Sequence, residues 1–319
     1  MTPLILLVGF LGSGKTTYLR RLLPELRGRG IEPHVIINDH RNAGVDAELL
    51  REFADSVVPI SGSCVCCGSR DELLGALEKF VHAPDRVVVI ETNGTTDSSE
   101  LITMLSLDPA LARFTQPIQL SLVDAQRWQK RFWHNPLELA QTRTANFLFV
   151  SRWDEISPER REKVEASLAG HGLHCERLAP DGFAEKIHDV LASVRDVPAR
   201  DAVPHPAGCG CGHHPAAFHA AHHFASLQVD LPQAIPRAAL AAFLDRLPRE
   251  VIRVKGLARL SESPGEFHVF QRVDDSPIQW LPVGPSPRVG RPLAVLIGPE
   301  IESGPILDLA AELFRAATG

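Results

Sequence analysis

The sequence predicts a doubly wound α/β domain built on a mostly parallel sheet, followed by a smaller α+β domain. Three observations predict it. Runs rich in Val, Ile and Leu alternate with amphipathic stretches as far as about residue 195. The first run, Leu4–Val8, leads directly into a glycine-rich segment and then a helical pattern. The alternation stops at Pro204–His223, where Pro, Gly and His leave neither a helical nor a strand period.

The elements follow in order. Strands are expected at Leu4–Gly9, His34–Asn38, Arg86–Glu91, Ile118–Val123 and Asn146–Ser151, all apolar enough to be covered on both faces. Helices are expected near 15–28, 69–81, 97–106, 136–145 and 158–169. After the linker, strands are expected at Phe224–Val229, Val251–Arg259, Phe267–Val273, Ile278–Leu281 and Leu293–Ile297, with helices at Pro236–Arg246 and Pro305–Ala316. The domain boundaries are then 1–200, a linker over 201–223, and 224–319. In a doubly wound sheet, ligands sit at the carboxyl ends of the strands.

Gly9-Phe-Leu-Gly12-Ser13-Gly14-Lys15-Thr16 has the spacing Gly-x-x-x-x-Gly-Lys-Thr of a phosphate-binding loop, which makes the fold that of a P-loop NTPase. Its glycines let backbone N–H groups turn inward around phosphate oxygens. Lys15 places a charge on the β and γ phosphates, and Thr16 offers its hydroxyl to Mg²⁺; Thr17 completes the loop. The helix beginning at Lys15 aims its positive dipole end at the same anions. A nucleoside triphosphate with Mg²⁺ is the expected ligand.

Three further segments carry chemistry. The strand Val87–Ile90 ends in Glu91-Thr92-Asn93-Gly94. An acidic residue here can order the Mg²⁺ shell or the attacking water, and a glycine can bring its N–H close to the γ phosphate. Ser151-Arg152-Trp153-Asp154 stands where guanine-specific proteins carry Asn-Lys-x-Asp. Asp154 would accept from guanine N1–H and the 2-amino group; against adenine it would lose both bonds, at about 1–3 kcal/mol or more for a charged group. Arg152 can lay its alkyl stem on the base, and Ser151 lacks the asparagine amide. An N-cap role before Pro158 is the bland alternative for this segment.

The last segment is Ser63-Cys64-Val65-Cys66-Cys67-Gly68. Three thiolates suit Zn²⁺ and similar ions, and leave one tetrahedral position open for a metal that is handed on. The spacing is not the Cys-x-x-Cys of thiol oxidoreductases. A permanent zinc site with a fourth ligand from Asp39 or His40 stays open. The linker adds His205, Cys209, Cys211, His213, His214, His219, His222 and His223 as weaker donors. Cys175 and His171 are expected near the surface without special chemistry, and Trp128, Trp133 and Trp280 in packing roles.

These segments, in this order, resemble the CobW-like family of P-loop GTPases. The resemblance also takes in Asn38-Asp39, Gly44-Val45-Asp46, Val123-Asp124-Ala125 and Gln141–Asp154. It implies a metal chaperone or insertase that couples GTP hydrolysis to transfer of zinc or cobalt to a client metalloprotein. Delivery of zinc is the leading expectation. A cobalt or iron insertase for cobalamin synthesis or nitrile hydratase activation, or a nucleotide-gated metal sensor, are the alternatives. Lys15, Glu91 and Asp39 are then the candidate catalytic residues. The chain departs from the family at Ser151-Arg152, at Asp39-His40 in place of Glu and an apolar residue, and at Asn93 and Thr95.

Composition narrows the classes. A hydrophobic fraction of 44% and a charged fraction of 23% are those of a globular protein. The net charge of −6 gives no support to nucleic-acid binding. Leu4–Val8 has no basic flank, is too short to span a membrane and precedes no small-residue cleavage site, so cytoplasmic residence is expected. Six cysteines there read as metal ligands or thiols rather than disulfides. Oligomeric state has no sequence signal.

Overall fold

The computed structural model describes residues 1–38, 47, 50–54, 56–60, 70–173, 175–195, 224–273, 276–283, 292–299 and 301–318. These divide into two compact units, one from residues 1–101 and 113–195, the other from 102–112 and 224–318.

The first unit holds a parallel sheet of β1 (Leu4–Val8), β2 (Glu32–Asn38), β3 (Ser56–Ile60), β4 (Arg86–Glu91), β5 (Ile118–Asp124), β6 (Phe147–Ser151) and β7 (Glu176–Arg177). Its order is β3-β2-β4-β1-β5-β6-β7. All its described pairings are parallel. The chain winds from β1 towards β2 in one direction and crosses to β5 in the other, so β1 lies where the winding reverses. Open α/β sheets bind ligands at that point. Helices α1 (Lys15–Gly28), α2 (Arg70–Glu78), α3 (Ser98–Leu107), α4 (Asn135–Arg143), α5 (Pro158–Gly170) and α6 (Pro180–Arg195) follow the strands along the chain, the division between the two units falling within α3.

The core explains why these segments hold. β1 is buried throughout, as expected for a strand covered on both faces. On α1, Leu19, Leu22, Leu23 and Leu26 recur at helical spacing and pack with Phe183, Ala184, Ile187 and Leu191 of α6. Each fully buried leucine contributes about 1.5–3 kcal/mol of transfer free energy. Tyr18 adds a hydrogen bond from its hydroxyl to Leu178 O at 3.1 Å. Burial raises its phenol well above the ordinary range.

Three elements lie outside the expectation, β3, β7 and α6, and of these β7 is a two-residue strand at the other edge of the sheet. β3 is half exposed and contains Pro59, which removes a ladder donor and suits the sheet edge that β3 occupies. α6 carries its apolar residues at 183, 184, 187 and 191, a helical pattern with Pro180 in the first position.

The second unit is an antiparallel sheet of β8 (Phe224–Asp230), β9 (Arg253–Arg259), β10 (Phe267–Val273), β11 (Gln279–Val283) and β12 (Leu293–Pro299), in the order β11-β10-β9-β12-β8. Helices α7 (Arg237–Asp245) and α8 (Ser303–Thr318) pack on it through Leu240, Phe243, Ile306 and Phe314. This is the α+β arrangement expected. Among the described residues, no helix is long and apolar enough to cross a membrane.

Candidate functional site

β1 delivers Gly9 into a loop that needs glycine at three of its positions. Gly9, Gly12 and Gly14 have φ of 154°, 75° and 97°. A Cβ on Gly9 would also stand 2.6 Å from both Leu122 O and Ser13 Oγ. Gly14 starts α1 with no side-chain cap, and the first turn of α1 holds no acidic residue. The first N–H groups and the positive dipole end are therefore left for an anion. Lys15 is buried, and its Nζ donates to Gly9 O at 2.8 Å and Phe10 O at 3.5 Å.

The end of β4 lies beside this loop because Glu91 is in register with Leu7 of β1 on one side and Ile37 of β2 on the other. Glu91 is 5% exposed, and its Oε1 accepts from Thr16 Oγ1 at 2.7 Å. Two oxygen donors so close fit a hard divalent cation such as Mg²⁺. Gly94 then passes under the loop, where an added Cβ would stand 2.5 Å from Leu11 N. Gln141 holds this turn from α4, its Nε2 donating to Gly94 O at 3.1 Å and Thr96 O at 2.9 Å. Nothing in the local pattern marks Gln141 for that task.

The resulting cleft is lined by Leu11, Gly12, Gly14, Lys15, Thr16, Thr17, Asn38, Glu91, Thr92, Asn93 and Gly94. It brings together most of the residues expected to hold phosphate and Mg²⁺. Gly9 and Ser13 lie in the same loop without lining the cleft.

Arg152 and Asp154 also do not line it. Ser151 ties the end of β6 to the loop, its Oγ donating to Ser13 O at 2.8 Å. Arg152 adopts a left-handed φ of 56°, and its guanidinium pairs with the fully buried Asp124 at the end of β5. Arg131 and Arg127 also face Asp124, at 3.8 Å and 4.0 Å. Asp154 is in solvent, with Arg161 at 3.9 Å. The guanidinium groups of Arg161 and Arg177 each lie 5.7 Å from the ring centre of Trp153.

A second acid–arginine contact buttresses the loop. Arg131 Nε donates to Glu138 Oε1 at 2.9 Å, and its guanidinium lies 4.5 Å from the ring centre of Phe10. Burial holds the Glu138 carboxyl above the ordinary range, with the Gln129 amide and Arg131 partly offsetting it. The turn they support places Gln129 and Phe132 at left-handed φ values of 55° and 51°. Phe132 and Trp133 consequently point outward, 84% and 92% exposed. Trp133 therefore does not pack, contrary to expectation, whereas Trp128 is buried in the core around Leu148 and Val164.

Asp39, Cys64, Cys66 and Cys67 lie outside the described residues, as do the His and Cys candidates of 205–223. Among the described residues, no group of three or more His, Cys, Asp or Glu side chains could hold a metal ion. Cys175 corrects the expectation of a surface thiol: it is buried, with Sγ donating to Ala145 O at 3.3 Å.

Residues 3–172 match the family model of the CobW/HypB/UreG nucleotide-binding domain, and residues 224–304 that of the cobalamin synthesis protein cobW C-terminal domain. Zinc chaperone CobW of Pseudomonas aeruginosa is 28% identical over 301 residues, covering 82% of this chain and 78% of the relative. Zinc chaperone YjiA of Escherichia coli is 30% identical over 171 residues, covering 51% of this chain and 52% of the relative. The crystal structure of Zn(II)-bound YjiA GTPase from E. coli aligns over 98% of both chains at 20% identity, with a TM-score of 0.40.

Proposed function

The chain belongs to the CobW/HypB/UreG family of nucleotide-binding proteins, and from that premise we propose that it is a GTP-hydrolysing metallochaperone. Its cargo is a transition metal, zinc first, and its partner a client metalloprotein. The observation that carries the nucleotide half is the cleft in which Lys15 and the Thr16–Glu91 pair face uncapped N–H groups of α1. The metal half is supported by the names of the relatives and by Cys64, Cys66 and Cys67.

In this reading Lys15 exchanges its two carbonyl partners for β- and γ-phosphate oxygens. Thr16 and Glu91 hold Mg²⁺, which neutralises phosphate charge when bound. Glu91, with Asp39, orients the attacking water. Gly94 lets the turn after β4 approach the phosphates, and Gly9, Gly12, Ser13, Gly14 and Thr17 contribute the remaining loop. Asp154 reads guanine, with Arg152 tied back to Asp124 so that its stem lies under the base. Catalysis is positioning and charge stabilisation. The protein works in the cytoplasm, as a domain over 1–200, a linker over 201–223 and a domain over 224–319.

The test is a competitive zinc titration of the whole protein with GTPγS or GDP bound, beside the GTPase rate. Wild type should bind one zinc tightly and change affinity between the two nucleotides. Cys64→Ser, Cys66→Ser and Cys67→Ser together should abolish that site and spare GTP binding. Tight zinc retained by the triple variant would remove the proposed ligands. Nucleotide-dependent zinc affinity without hydrolysis would favour a sensor over a chaperone.

A further inference from the structure

Asn38 ends β2 and is 1% exposed, yet neither its amide nitrogen nor its amide oxygen has a hydrogen-bond partner among the described residues. Buried polar groups are ordinarily paired, because leaving one unmade forfeits its hydration without return. An unpaired carboxamide lining a polar cleft is therefore one whose partner arrives with the ligand. The same side chain lines the cleft with Lys15, Thr16, Glu91 and Gly94.

The topology says which part of the ligand it would meet. Across the sheet the order is β2, β4, β1, β5, β6. The segment after β6 is tied to the phosphate loop on one side through Ser151 and Ser13. Thr16 is tied to Glu91, at the end of β4, on the other. A nucleotide whose base lies towards β6 runs its phosphates towards β4, and Asn38 stands one strand further on. On that orientation the terminal phosphate is the part of the nucleotide that would lie nearest Asn38.

We propose that Asn38 is the γ-phosphate sensor of this site. Its N–H donates to a γ-phosphate oxygen, and its carbonyl accepts from a water held beside that phosphate. A neutral amide suits the position, since a carboxylate there would repel both Glu91 and the phosphate. The proposal rests on the reading that the cleft takes a nucleoside triphosphate, and it adds a substrate-binding residue to that reading.

The test is the ratio of GTPγS to GDP affinity at fixed Mg²⁺, read by displacement of a fluorescent GDP, for wild type, Asn38→Ala and the isosteric Asn38→Asp. Asn38→Ala should lose about tenfold in GTPγS affinity (about 1.4 kcal/mol) and keep its GDP affinity within about twofold. Asn38→Asp should lose more, because it adds repulsion, and it carries the test if the alanine variant does not fold. Equal weakening of both nucleotides, or an unchanged ratio in both variants, would overturn the assignment of Asn38. Failure of wild type to bind either nucleotide would overturn the nucleotide reading itself, and this proposal with it.

Discussion

Thr16 Oγ1 donates to Glu91 Oε1 at 2.7 Å, joining the first residues of α1 to the end of β4 across 75 positions of sequence. The bond brings together the two oxygens suited to Mg²⁺. Glu91→Gln keeps an acceptor for Thr16 but removes the charge that favours a divalent cation. The expected outcome is a fold stable to within about 1 kcal/mol of wild type, a higher Mg²⁺ midpoint, and GTP hydrolysis slowed by about 100-fold. Single-turnover hydrolysis across an Mg²⁺ series checks this; an unchanged midpoint would remove Glu91 from the cation.

Gly94 is required by close approach rather than by its dihedral angles. In Gly94→Ala the new Cβ meets the Leu11 backbone N at 2.5 Å and the Leu11 side chain at 2.7 Å. Backbone has to yield, at about 1–3 kcal/mol, and the phosphate loop moves. Urea denaturation and GTP affinity should worsen together. A variant that binds GTP as wild type does would show that the loop tolerates the extra methyl group.

Asp124 is fully buried, and Arg152 is the nearest of the three guanidinium groups around it. Arg152→Ala should destabilise the protein by about 3 kcal/mol, the low end for breaking a buried pair, because Arg131 and Arg127 remain. Asp154→Asn, by contrast, touches a solvent-exposed side chain. It should leave the melting temperature unmoved and lower the preference for GTP over ATP by about tenfold or more. Calorimetry and paired nucleotide titrations separate the two effects. Equal GTP and ATP affinity in wild type would remove guanine selectivity from Asp154.

Burial holds the Glu138 carboxyl above the ordinary carboxylate value. Between the ordinary and the raised native value, the folded chain keeps a proton that the unfolded chain has released. This group therefore makes stability decline as pH rises through that window, and adds no slope below or above it. Urea titrations from about pH 4 to about pH 7 on wild type and Glu138→Gln isolate it. The wild-type stability minus that of the variant should fall with rising pH; a rising difference would mean that Arg131 outweighs desolvation.

What was legible in the sequence is what chemistry writes locally. Gly9–Thr16 carries its function in spacing alone, and Glu91 announces itself as an acid at the end of an apolar strand. Gln141 does not, because it acts through an amide that reaches Gly94 from 47 positions away. Asn38 is similar: its unmade bonds exist only once β2 lies beside β4. β3 was hidden by Pro59 and by its edge position, where a strand need not be apolar. α6 was readable, since Phe183, Ile187 and Leu191 recur every fourth residue. Trp133 misled because large aromatic residues are usually covered, and the left-handed turn at Gln129 and Phe132 that exposes it has no glycine to signal it.

That turn makes the protein its own optical probe. Of its four tryptophans, Trp128 is sealed in the core and Trp133 is almost wholly in water. A soluble quencher such as acrylamide therefore reaches Trp133 and spares Trp128. The next residue, His134, has its ring 5.2 Å from that of Phe10, inside the phosphate loop. If a nucleotide shifts that loop, the setting of an indole two steps from Phe10 should shift with it, and acrylamide quenching of the unlabelled protein with and without nucleotide checks this.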